Sequence, residues 1–152
     1  MRRRSCRVGS HGVCKAANCA VLLLWLGAAA AVGTAADTGI AGGLFTQVQA
    51  ARGRVLYDQY CTACHGAKLE GNPGAPLAGP AFLSRWADGQ HTLDDLFYIV
   101  RTLMPYNAPA SLTRQQYADV TAYILSMNDY PAGEAELPPS AAALKKVTLQ
   151  PR

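Results

Sequence analysis

The sequence predicts an all-α domain of three main helices. Three segments repeat apolar residues at helical spacing, two of them behind capping-box signatures, and no segment shows the alternation of a half-buried strand. The pentapeptide CTACH at 61–65 adds that the helices wrap a covalently held group and not only one another.

The chain has 152 residues, enough for one modest domain with extra segments at its ends. Arg2, Arg3, Arg4, Arg7 and Lys15 precede a thirteen-residue apolar run, Ala20 to Val32, and small residues follow to Ala36. That order predicts a cleaved secretory signal over 1–36, read by the general secretory route. The run falls short of the ~20 residues of a bilayer span, and a retained anchor is the alternative. Residues 37–45 form a linker.

Thr46 to Tyr60 predicts the first helix, with Val48, Val55, Leu56 and Tyr60 on one side. Residues 66–80, rich in glycine and proline, predict an irregular loop with few backbone bonds of its own, long enough to wrap something. A short helical piece follows at Ala81 to Trp86. Thr92 with Asp95 starts the second main helix, along which Leu93, Leu96, Phe97, Val100 and Leu103 repeat, and it stops before Pro105. Thr113 with Gln116 starts the third, whose Tyr117, Val120, Tyr123, Ile124 and Met127 share a face; it ends near Asn128. The Pro/Ala-rich tail, 131–152, is expected to drape over the surface or fray.

The compact part, 46–130, has 85 residues, a size that often needs a staple to be stable. Cys6, Cys14 and Cys19 fall in the expected signal, so only Cys61 and Cys64 remain beyond it. Two cysteines three apart are not a disulfide framework. Formal charge is +4, but loss of the five basic residues before position 37 leaves nine basic against ten acidic residues, a formal −1. That balance gives a nucleic-acid face no support.

In CTACH one helical turn presents Cys61, Cys64 and His65 on one side, the pattern of covalent haem attachment. The thiols are expected to add to the two haem vinyl groups, and His65 to supply one axial nitrogen. A zinc site lacks a comfortable fourth ligand, and a thioredoxin-like pair lacks its βαβ setting. The second axial ligand must come from Met104, Met127 or His91. Met127 sits on an apolar stripe and His91 in a loop, whereas Met104 ends a helix and is followed by Pro105 and Pro109, which stiffen its loop. Met104 is the expected ligand. Two filled axial positions argue against oxygen-activating chemistry.

The segments GRVLYDQYCTACHG, PLAGPAF and LMPYNAPASLTRQQYADVTAYIL, within about 47–128, resemble the class I c-type cytochromes. The resemblance implies the cytochrome c fold around one haem c, with metal ligands His65 and Met104. It implies a crossing of first and last helices at Gly53, packed by Tyr57, Val120 and Tyr123. It also implies a backbone carbonyl that accepts the His65 Nδ1 hydrogen, with Pro76 the better match and Ala75 the alternative. Pro76, Leu77 and Phe82 would line the pocket. The ending AYIL with NDYPAGEAELP is similar to cytochromes that accompany periplasmic quinoprotein dehydrogenases.

The expected function is therefore periplasmic transfer of single electrons from a dehydrogenase donor to a cytochrome or oxidase acceptor, without catalysis. The alternative is a haem enzyme subunit whose methionine ligand is displaced by substrate. Membrane association is expected only with a retained N-terminal segment.

Overall fold

A computed structural model describes residues 42–151; the expected signal over 1–36 and residues 37–41 of the expected linker lie outside the described residues. The described chain forms α1 (Gln47–Tyr60), α2 (Thr62–His65), α3 (Pro80–Trp86), α4 (Leu93–Leu103), α5 (Arg114–Ser126) and α6 (Ala141–Leu144). Among the described residues there is no strand, only an isolated bridge between Thr92 and Thr148.

The helix ends follow their side chains. Thr46 accepts the Gln49 amide hydrogen at 3.1 Å and starts α1. Both expected capping boxes form, Thr92 with Asp95 and Thr113 with Gln116. α4 stops at Leu103, and Met104 turns to an extended conformation ahead of Pro105.

The core is built on the crossing of α1 with α5. Gly53 lies at the contact, where a Cβ would overlap the Asp119 carbonyl oxygen and come within 3.0 Å of Tyr123 Cβ. The expected crossing glycine is found, with the Asp119 backbone and Tyr123 as its nearest neighbours. Tyr57 packs its ring 5.3 Å from that of Tyr123.

This close approach overturns the face expected for α1. Val48 and Val55 are 67% and 66% exposed and Tyr60 is 39% exposed, while Gln49, Ala50, Gly53 and Tyr57 are buried. Two helices that touch backbone to backbone need small residues at the seam, so the larger aliphatic residues are turned outward. Met127 is corrected likewise. It caps α5 and is exposed, because the chain turns away there while Tyr117 to Leu125 are buried all round.

The C-terminal tail is strapped down, not frayed. Leu137, Leu144 and Leu149 are each at most 2% exposed. Leu93 donates its amide hydrogen to Val147 O at 2.7 Å. The Gln49 side chain, itself buried, donates to Leu137 O at 3.0 Å and accepts from Leu137 N at 2.7 Å. Gln49→Ala would strip both partners from a buried peptide group, at a cost of about 2–3 kcal/mol. The expected result is a lower urea midpoint with an unchanged slope; an unchanged midpoint would mean the strap carries no stability.

Candidate cofactor site

α1 runs almost directly into the CTACH turn. The Cys61 amide donates to Tyr57 O at 2.8 Å, and the Cys64 and His65 amides both return to Cys61 O. The Tyr57 hydroxyl donates to Gly66 O at 2.7 Å, so the buried end of α1 holds the exit of the same turn. Burial, with the Cys61 thiol nearby, pushes the Tyr57 phenol above its usual range and keeps it a donor. Cys61 and Cys64 are not joined in a disulfide. Burial, and secondarily Cys64, pushes the Cys61 thiol up to about 11, so it is protonated at neutral pH.

The loop after His65 is far more bonded than its composition predicts. Gly71 N donates to His65 O at 2.8 Å, Gly74 N to Cys64 O at 2.7 Å, and Leu77 and Ala78 N both to Leu69 O. A Cβ at Gly74 would stand 2.9 Å from Cys64 O and from His65 Nδ1. Glycine there lets the loop backbone lie against the imidazole.

The carbonyl beside the ring is that of Ala75, 2.7 Å from His65 Nδ1. Ala75 thus takes the place expected for Pro76; the turn at Gly74 brings the carbonyl one residue earlier to the ring. A carbonyl only accepts, so Nδ1 carries the hydrogen, and Nε2 is the ring nitrogen left for another partner.

Further on, Asn128 is 3% exposed; it donates to Leu77 O and Ile124 O and accepts from Gly79 N at 2.9 Å. It fastens the end of the loop to the C-terminal end of α5. Sequence reasoning gave Asn128 no role, and an asparagine after a helix carries no signal that it would tie a segment some fifty residues back.

Across the fold, the Met104 carbonyl accepts the Tyr117 hydroxyl hydrogen at 2.7 Å, and the Tyr117 oxygen accepts from Leu112 N at 3.2 Å.

These segments enclose a cavity of about 750 Å³. Cys61, Cys64, His65, Pro76, Leu77, Phe82 and Met104 all line it, so the residues singled out by sequence meet on one space. Trp86, Leu96, Ile99, Val100, Val120 and Ile124 complete an apolar wall; Arg85 and the rings of Tyr60 and Tyr106 also border it. Met127 and His91 do not line it. His91 is partly exposed, with Nδ1 2.9 Å from Asp88 Oδ2 and its ring against Trp86. Amide hydrogens of His91 and Gln90 hold the Asp88 carboxyl down to about 2. Among the described residues no three His, Cys, Asp or Glu side chains converge as a metal site.

The residues fit a haem. The volume falls within the ~300–1,000 Å³ of cofactor sites. The wall is apolar, as a porphyrin face requires, and the donors differ in kind: two thiols and an imidazole on one turn, a thioether on another segment.

The family model described as "Cytochrome C oxidase, cbb3-type, subunit III" matches residues 48–124. No curated protein matches. A chain of the crystal structure of the sulfane dehydrogenase SoxCD from Paracoccus pantotrophus matches with 23% identity and a TM-score of 0.51, over 66% of this chain. The chain spans about half (52%) of that one. At this identity the likeness speaks for the fold alone.

Proposed function

Because the chain belongs to the family of cytochrome c oxidase, cbb3-type, subunit III, a class I c-type cytochrome domain, we propose that it passes single electrons between redox proteins on one covalently attached haem c. Family membership brings a haem and electron transfer. The finer assignments, covalent linkage through Cys61 and Cys64 and axial ligands His65 and Met104, rest on this chain's own residues.

The observation that carries the reading is the His65 hydrogen bond to Ala75 O. It commits Nδ1 as donor and leaves Nε2 as the free donor atom of the ring, on the wall of the cavity that the two thiols also border. Cys61 and Cys64 tether the group against loss. Phe82, Leu96 and Val100 exclude water and keep the local dielectric low, which disfavours the more highly charged ferric site. Met104 supplies a soft thioether with the same preference. The haem, when bound, takes up and gives back one electron at its iron.

The proposed setting is the periplasm, with 1–36 removed on export; no described helix is long and apolar enough to cross a membrane. A dehydrogenase donor and a cytochrome or oxidase acceptor are the proposed partners. The name of the matched family supports redox-protein partners.

Production of the full chain in a host that matures c-type haem is the test. The expected product is red, shows sharp reduced-state bands, keeps its haem through denaturation and gains the mass of one haem. Changing both Cys61→Ala and Cys64→Ala should leave no haem bound after denaturation. A colourless wild-type product would end the proposal.

A further inference from the structure

We infer that Tyr117 is a positioning residue that latches the Met104 loop and holds its thioether toward the cofactor; this deepens, and rests on, the assignment of Met104 as an iron ligand. Residues 104–112 join α4 to α5, and Met104, Pro105, Tyr106 and Asn107 border the cavity. Loops of this length are ordinarily mobile, and a ligand carried on one dissociates as the loop opens.

Here the two ends are joined through one phenol. Tyr117 is 3% exposed on the first turns of α5. Its hydroxyl donates to Met104 O at 2.7 Å, at the start of the loop, and accepts from Leu112 N at 3.2 Å, near its end. Ala110 N also donates to Met104 O at 3.3 Å, and Ala108 N to Pro105 O at 2.9 Å. With its carbonyl taken by the rigid helix, the Met104 peptide loses the freedom to swing its side chain off the cavity wall. The phenol has no other hydrogen-bonding task among the described residues, and a phenylalanine would fill the same space. The hydroxyl therefore serves the loop and not the core.

The test is imidazole binding by the ferric holoprotein, in which the added base competes with the thioether. Tyr117→Phe should tighten imidazole binding by at least about threefold, since both hydrogen bonds of the hydroxyl are lost and one neutral bond alone accounts for about three- to tenfold. It should also weaken the optical signature of methionine ligation, with helix content unchanged. Gln49→Ala, which loosens the strap elsewhere, should lower the denaturant midpoint and leave imidazole affinity as it was. Unchanged affinity in Tyr117→Phe, or an equal change in Gln49→Ala, overturns the latch.

Should Tyr117→Phe yield no holoprotein, the wild-type protein answers instead. Saturating imidazole should speed amide exchange at Leu112 severalfold, and an unaltered rate overturns the latch. Met104→Ala separates the two ideas: if it changes neither the spectrum nor imidazole affinity, the ligand assignment itself has failed. If it changes both while Tyr117→Phe changes neither, only the latch has failed.

Discussion

Met104→Ala is expected to lower the midpoint potential of the holoprotein by well over about 59 mV, the tenfold step of a one-electron couple. A thioether is soft and favours the ferrous state, so its loss tips the balance toward ferric iron. Among the described residues, alanine removes the only sulfur that lines the cavity apart from the two thiols, and Met127, the other candidate thioether, lies outside the lining. No nearby side chain replaces it, and carbon monoxide should then bind the reduced protein rapidly. Redox titration and carbon monoxide binding read the two effects. A potential within a few millivolts of wild type would remove Met104 from the ligand role while leaving His65 and the thioether links intact.

Gly53→Ala is expected to cost more than about 3 kcal/mol, beyond the common range of overpacking. In an isolated helix the change would stabilise by about 1 kcal/mol. At this position the added methyl overlaps the carbonyl oxygen of Asp119, a backbone atom that cannot rotate aside. The helices must separate, and Tyr57 then loses its contact with Tyr123 and its grip on Gly66 O. Because α1 leads into the CTACH turn, haem attachment should suffer as well. Denaturant unfolding measures the first effect and the yield of haem-bearing protein the second. A stability gain would mean that the crossing is not tight and that propensity governs the site.

Much of the fold was legible because its signals are local. Capping boxes at Thr92 and Thr113, the stop before Pro105 and the helical piece near Trp86 each depend on a few adjacent residues, and all appear where expected. The motif at 61–65 is equally local. Errors arose where a long-range contact chose between local options. α1 hides Gln49 and Gly53 and shows Val48 and Val55, against the usual order of hydrophobicity, because the crossing with α5 demands close approach. The Pro/Ala-rich tail was expected to drape over the surface or fray, but Leu137, Leu144 and Leu149 each found a buried place.

By itself the amino-acid sequence determined the all-helical fold of the described residues, the ends of their main helices and which residues are proposed to hold the haem, since those follow from capping, periodicity, a pentapeptide and the place of Met104 before Pro105. Tertiary structure alone decided which carbonyl fixes His65, that Tyr117 and Asn128 fasten the loops around the cavity, and that Gln49 pins the tail. Each of these hydrogen bonds joins a polar side chain to a backbone group of the kind nearly every residue carries. Which donor meets which acceptor is set by where the backbone passes, and no residue type announces that in advance.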